Sequence, residues 1–348
     1  MQVVIDYLSE SVLWPVTLLV IPPWSFVWWV AIGVTVWIVN RLRYPRCRDQ
    51  SKMIGKTVIV TGGNKGIGLE TARELVARGA TVIIACRSLV RGNAAKDDIL
   101  KKLKGNANGG TVEVSYLDVS CMASVRKFAS AFQGRKIDVL LNNAAVADLP
   151  QQLTDEGLEL TVATNHLGPF LLTHLLMPNL KKAGGRVINV SSTGHHWIKK
   201  ASELDLEGDL KFEFSRPLRT LEIYVVSKLM NVFFTMELHR KLKGTGVTTN
   251  CLHPGVVNTD IFDPMVSHVW YGFFIRLYVW AYAKTKSEGA QTSILLAASD
   301  DLKNVSGKYF VDCKESSPSP LSQDEGIAKK LWEISERLVK LQPHERTI

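Results

Sequence analysis

The chain has 348 residues, 46% of them hydrophobic, enough for one large α/β core without a second domain. Its net charge of +9 is dispersed and comes with no base-reading motif, which argues against nucleic acid as a partner. Five scattered cysteines (Cys47, Cys86, Cys121, Cys251 and Cys313) show no Cys-x-x-Cys or metal-ligand spacing, so reduced thiols are expected and a disulfide framework is not.

The N-terminus differs in character from the rest of the chain. No residue from Ser11 to Asn40 is charged, and roughly 20 apolar residues suffice to span a bilayer. Residues 1–40 therefore read as a membrane anchor, with Trp24, Trp28, Trp29 and Trp37 suited to interfacial positions. Asp6 and Glu10, with no small-residue cleavage site behind them, argue against a removable signal peptide. Arg41, Arg43, Arg46 and Arg48 open a basic linker over 41–54 and place the remainder of the chain on the cytosolic side. Pro22-Pro23 leaves a single kinked span and a hairpin both open. The endoplasmic reticulum is the default membrane, with lipid droplets and mitochondria as alternatives.

Beyond Lys52, short β-branched runs at 57–60, 81–85, 111–117, 137–141, 186–190 and 247–252 alternate with helical stretches. The helices start near Ile67, Leu89, Met122, Glu156, Leu221 and Ser287. A last strand at 308–311 and an amphipathic helix over 324–341 complete the pattern. This predicts a Rossmann-type, doubly wound parallel sheet of about seven strands flanked by helices, in one domain over 55–348. Two segments break the alternation. Residues 199–220 form a polar, mixed-charge insertion. Residues 264–284 are crowded with aromatics (Trp270, Phe273, Phe274, Tyr278, Trp280), and Arg276 in their middle argues against a second span. A core helix and a substrate lid that dips into a membrane surface both remain open for that segment.

Two groups of residues carry chemistry. The turn TGGNKGIG at 61–68 sits between a strand and a helix, where glycines allow close approach of a pyrophosphate to the helix N-terminus. The second strand then ends Cys86-Arg87-Ser88 with no acid, and Lys65 adds a further positive charge. NADP(H) is therefore preferred over NAD(H). Farther on, Tyr224 and Lys228 are four residues apart, one helical turn, so the ammonium can stabilise a phenolate and fit the tyrosine for proton transfer to or from an alcohol oxygen. His195 and His196 lack partners at ligand spacing, so they are expected to face solvent or a substrate loop, and no metal is expected. His166 and His174 read as packing or surface residues, and Cys251 as a buried strand thiol.

Taken in order, TGGNKGIG, LDVS with Asp118, NNAA at 142–145, NHLGPF with Asn165, VINVSS ending at Ser192, YVVSK and HPGVVNTD resemble the short-chain dehydrogenase/reductase family over residues 55–312. The phrases IIACRS, TNHLGPFLLTHLL, NVSSTGHH, KLKGTGVTTNCLHPG and GAQTS are similar to its retinol dehydrogenase branch. The resemblance implies Tyr224 as acid/base, with Lys228 lowering its pKa and binding the nicotinamide ribose. Ser192 would hold the substrate oxygen beside Tyr224, and Asn165 would position a water relaying protons to Lys228. Gly62, Gly66 and Gly68 would cradle the pyrophosphate, with Asn64, Lys65 and Ile67 around it. Asp118 and Val119 would flank the adenine, and Asn142 would close over the cofactor with Ala144 beside it. Pro254, Gly255 and Thr259 would line the nicotinamide side.

There are two departures from the pattern: Ala145 stands where the family has glycine, and the gap from Ser192 to Tyr224 is long. The implied function is a membrane-associated, NADP(H)-dependent oxidoreductase interconverting a lipophilic alcohol and its aldehyde or ketone, retinol and retinal first. Steroids, polyprenols and long-chain aldehydes are alternative substrates, and a tethered NADP(H)-binding scaffold without turnover is the alternative of another class. A homodimer is compatible with the sequence.

Overall fold

Valine and isoleucine dominate the first two strands, β1 (Thr57–Thr61) and β2 (Thr81–Cys86), because both faces of the sheet are covered. Val58, Val60, Val82 and Ile84 point to one core with Leu75, Val76, Ile99 and Leu296. Ile59 and Ile83 point to the other with Phe170, Phe233 and Trp332. The computed structural model describes residues 46–104, 109–147, 150–212, 219–259 and 282–348, with Trp28, Ala31 and residues 33–35. Most of the expected anchor, residues 41–45 of the linker and most of the aromatic segment 264–284 thus lie outside the described residues. Among the described residues no helix is long and apolar enough to cross a membrane.

The remaining elements are α1 (Gly66–Ala77), α2 (Leu89–Lys102), β3 (Thr111–Tyr116), α3 (Met122–Ser130), β4 (Val139–Asn142), α4 (Gly168–Lys181), β5 (Arg186–Val190), α5 (Arg219–Lys241), β6 (Thr248–His253), α6 (Lys286–Ala298), β7 (Lys308–Val311), β8 (Lys314–Ser316) and α7 (Glu325–Leu338). The sheet order is β3-β2-β1-β4-β5-β6-β7-β8, parallel except for β8, which pairs antiparallel with β7. The order reverses between β1 and β4, and such a switch point opens a crevice at the carboxyl ends of the strands.

Eight strands replace the expected seven. β8 follows a two-residue turn whose members, Asp312 and Cys313, both have positive φ (53° and 61°), the geometry of a tight hairpin. The helix expected from Glu156 begins later. The Glu159 carboxylate accepts from Val162 N at 2.7 Å, a single helical turn follows, and a π-helical stretch, Ala163–Leu167, leads into α4. The insertion is not wholly a surface loop, since Leu204, Leu210 and Phe212 are buried in the core beneath α4, α5 and α7.

Candidate active site

Gly62 closes the turn after β1 at φ +67°, its N–H donating to Ala85 O at 2.8 Å. That left-handed φ favours glycine, and a Cβ there would also crowd Ala144 Cα at 3.1 Å. Thr61 Oγ1 accepts from the N–H groups of Asn143 (2.9 Å) and Ala144 (3.0 Å), which fixes the β4 end against this turn. Lys65 caps α1 with no side-chain hydrogen bond to the helix. A helix N-terminus left this way keeps N–H donors for an anion.

These residues form one end of a cavity of about 490 Å³ over the carboxyl edge of the sheet. Gly62, Asn64, Lys65, Gly66 and Ile67 line its floor. Arg87, Ser88 and Arg91 stand at one side with Asp118 and Val119. Asn143 and Ala144 lie between, and Pro254, Gly255 and Thr259 face them. The Asp118 carboxylate is engaged by Ser120, accepting from its N–H (3.0 Å) and hydroxyl (2.6 Å).

The other end gathers Ser192, Tyr224 and Lys228. Helix α5 presents Tyr224 and Lys228 one turn apart, with Lys228 Nζ 5.5 Å from the Tyr224 ring centroid and donating to Val190 O at 3.1 Å. The Ser192 hydroxyl hydrogen-bonds the Tyr224 side chain and accepts from Gly194 N at 3.2 Å. Both members of the pair are nearly inaccessible, Tyr224 at 7% and Lys228 at 2% exposure. Burial pushes the tyrosine up to about 12 against the opposing Ser192 hydrogen bond, and pushes the lysine down to about 7. The lowered tyrosine pKa expected from the spacing is therefore not what the protein without ligand has. Burial is the largest influence on the tyrosine, and the Ser192 hydrogen bond opposes it.

Three expected site residues do not line the cavity. Asn142 Nδ2 donates to Asn189 Oδ1 (2.9 Å) and Thr173 Oγ1 (3.3 Å), tying β4 to β5 and α4. Its neighbour Asn143 faces the cavity instead. Gly68 lies behind the turn, where a Cβ would sit 2.6 Å from both Asn143 Nδ2 and Gly62 O, so it serves helix–turn packing. Asn165 is one layer back in the π-helical stretch. Its amide accepts from Val146 N and donates to Val146 O and Ser227 Oγ, each at 2.9 Å.

Sequence reasoning missed Ser88, the N-cap of α2, and Arg91 in its first turn, although Arg91 stands only four residues beyond Arg87. It also missed Thr164, Trp197, Leu221 and Val225 around Tyr224, which carry no local signal. His195 is wholly buried and does not face solvent. His166, bonded to Ser335 Oγ at 2.9 Å, and His174 lie in the core, and burial lowers them to about 4 and about 3. The Cys251 thiol is buried in β6 and raised to about 12 by desolvation.

Comparison with known proteins agrees with this geometry. The family profile for short chain dehydrogenases matches residues 56–198. Retinol dehydrogenase 13 of Mus musculus is 40% identical over 315 residues, 89% of this chain and 91% of that protein. Retinol dehydrogenase 12 of Bos taurus is 42% identical over 296 residues (83% and 88%). Among solved structures, an uncharacterised protein of Mycobacterium paratuberculosis superposes with a TM-score of 0.66 at 33% identity, covering 85% of this chain and 97% of its own. The chain belongs to the short-chain dehydrogenase/reductase family, in its retinol dehydrogenase-like branch, a family of oxidoreductases that act on CH–OH donors with a nicotinamide cofactor.

Proposed function

We propose that the protein is a membrane-associated, NADP(H)-dependent oxidoreductase interconverting a lipophilic alcohol and its aldehyde, with retinol and retinal as the leading pair. The observation that carries this is a single cavity with Ser192, Tyr224 and Lys228 at one end and a glycine cradle with Arg87 and Arg91 at the other. The cradle suits a dinucleotide: Gly62 and Gly66 have positive φ, and a Cβ at Gly62 would be crowded by Ala144 at 3.1 Å. Gly62, Asn64 and Gly66 would hold the pyrophosphate, and Arg87 and Arg91, with no carboxylate beside them on β2, suit a 2′-phosphate. The nicotinamide, when bound, supplies or accepts the hydride.

The chain's own part is proton transfer and orientation. Tyr224 is protonated at neutral pH even at its ordinary value of 10.0, and burial raises it further; that state donates to a carbonyl oxygen, which the Ser192 hydroxyl would hold. Lys228 lies close enough to stabilise the phenolate that remains. Asn165 holds Ser227, whose hydroxyl in turn donates to the Tyr224 carbonyl at 2.6 Å, and so acts as a positioning residue. Val146, Trp197, Leu221 and Val225 give the reacting end apolar walls, which favour a lipophilic substrate. The uncharged segment 11–40 with its arginine flank supports membrane anchoring with the domain on the cytosolic side, the endoplasmic reticulum being the default membrane and lipid droplets and mitochondria the alternatives.

Full-length protein in detergent should reduce all-trans-retinal with NADPH. Tyr224→Phe should lower turnover by roughly 100-fold or more while leaving NADPH binding unchanged. If no retinoid, long-chain aldehyde or steroid ketone is reduced, or if the phenylalanine variant keeps full turnover, the proposal fails.

A further inference from the structure

His195 is buried beside the reacting end, yet neither proton transfer nor cofactor binding uses it. It sits in the 3-10 turn Thr193–Trp197 that follows Ser192, and its side chain has no solvent exposure. Its Nδ1 is 2.5 Å from Ser192 O, and its Nε2 is 3.1 Å from Ser319 N. Both partners are main-chain groups of fixed polarity: a carbonyl can only accept, and an amide N–H can only donate. Nδ1 must therefore carry the proton and Nε2 must be bare, which defines one neutral tautomer. Burial pushes the ring down to about 4, consistent with that state. The ring is also gripped by its neighbours, 4.0 Å from His196 and edge-on to Tyr309 at 4.9 Å.

The anchor at the far end is itself fixed. Ser319 is 1% exposed, and its carbonyl accepts from Ser322 Oγ at 2.6 Å. At the near end, Ser192 O accepts a second bond from His195 N at 3.2 Å, while the Ser192 hydroxyl meets Tyr224 and Gly194 N. Carbonyl and hydroxyl of one residue are thus held from opposite sides.

We propose that His195 is a positioning residue for Ser192: its Nδ1–H imidazole bridges the Ser192 carbonyl to the Ser319 amide and so holds the Ser192 hydroxyl against Tyr224. Its bearing on turnover rests on the reading of Ser192 and Tyr224 as the reacting pair. The segment ahead of α7 thereby becomes part of the site's support, although Ser319 is 124 residues away in sequence from the histidine it anchors.

The test compares His195→Asn, His195→Gln and His195→Ala in the full-length enzyme with NADPH and all-trans-retinal. Asparagine can place an N–H where Nδ1–H stands. Glutamine is closer to histidine in volume but offers its amide only at the reach of Nε2. The asparagine variant keeps the bond to Ser192 O but gives up the one to Ser319, so it should lose roughly 3- to 10-fold in kcat, whereas the glutamine and alanine variants should lose roughly 10- to 100-fold, all at unchanged KM for NADPH. Crystal structures should show the Ser192–Tyr224 hydrogen bond kept in the asparagine variant and lost in the glutamine variant. A glutamine variant as active as the asparagine one, or an unmoved Ser192 in it, overturns the proposal. If the wild type reduces no carbonyl compound, the functional reading fails by itself, and the two crystal structures still decide the positioning role. If neither variant folds, ¹⁵N-histidine NMR of the wild type decides. An Nδ1–H tautomer at neutral pH supports the bridge, and an Nε2–H tautomer or an imidazolium overturns it.

Discussion

Gly255 closes the turn after β6 at φ +93°, and an added Cβ would lie 2.7 Å from both Cε and Nζ of Lys284. That lysine is poorly able to move. It is 5% exposed, donates to Pro254 O at 3.2 Å and is ion-paired with Asp312. Its main chain also brackets the loop, donating to Val256 O at 2.8 Å and accepting from Asn258 N at 3.0 Å. Gly255→Ala therefore carries two costs: about 1–2 kcal/mol for the left-handed backbone, and about 1–3 kcal/mol for displacing a charged hydrogen-bond donor. Lys284→Ala alone should cost about 1–3 kcal/mol, since it leaves the Pro254 carbonyl unpaired.

The same change removes the obstacle, so in the Lys284→Ala background Gly255→Ala should cost only the backbone part. The coupling, about 1–3 kcal/mol, stands clear of the roughly 0.5 kcal/mol scatter of independent sites. Urea unfolding of the four proteins by tryptophan fluorescence measures it. NADPH titration of the same set reads the loop, because Pro254, Gly255 and Thr259 line the cavity. Additive penalties would refute the reasoning, since Lys284 would then not be what keeps a side chain off position 255.

Arg87→Ser with Arg91→Ser should lower the preference for NADPH over NADH by roughly 10- to 100-fold, as expected for losing charge-assisted hydrogen bonds; an unchanged ratio of kcat/KM values would sink the 2′-phosphate assignment. The folded-state pKa of Lys228, about 7, lies below its ordinary 10.5, so between these pH values the unfolded chain binds a proton that the folded one lacks. Stability should therefore climb with pH across that window by up to about 1.4 kcal/mol per unit. Lys228→Met should lose the climb, and parallel urea midpoints for the two proteins at pH 7, 8 and 9 would contradict this. Gly168→Ala would place a Cβ 1.8 Å from Val119 O, a main-chain atom that cannot rotate away. A loss of roughly 3 kcal/mol or more is expected, and a wild-type melting temperature would show that α4 can shift.

Much of the sheet was legible because strands buried on both faces must be continuous β-branched runs, and β2 and β5 stand where those runs stand. β8 was not: Lys314, Glu315 and Ser316 are all exposed, and the Asp312-Cys313 turn lacks the glycine or asparagine that usually marks positive φ. In the site, the NNAA motif located the end of β4, but which asparagine faces the cavity depends on strand pleat. Asn142 is still in the ladder and points to Thr173, and Asn143 is the first residue past it. The adjacent histidines were expected to face solvent or a substrate loop, yet His195 is buried and bonded to Ser319, and no local pattern encodes a partner so far along the chain. The spacing of Tyr224 and Lys228 gave their proximity and not their burial, and burial sets their protonation.

That burial acts on the pair in opposite senses and decides what each can do before any ligand arrives. Tyr224 is held protonated, while Lys228 is brought to the edge of neutrality at pH 7. An ammonium 5.5 Å from the ring centroid attracts a phenolate by about 3 kcal/mol at an effective dielectric constant of ~20. That equals about two pKa units, of the same order as the net rise from 10.0 to about 12, in which the Ser192 hydrogen bond is already included. Lys228 can therefore offset the desolvation of the phenolate but cannot also bring it to neutral pH. The remaining stabilisation has to come from further positive charge or hydrogen bonds at the tyrosine oxygen, beyond the Ser192 bond that the value of about 12 already includes. Donation to a carbonyl starts from the protonated tyrosine already in place, and the phenolate it leaves draws on the same stabilisation by Lys228 and Ser192. The same groups thus favour Tyr224 as a donor at rest and make its action as a base depend on what fills the cavity.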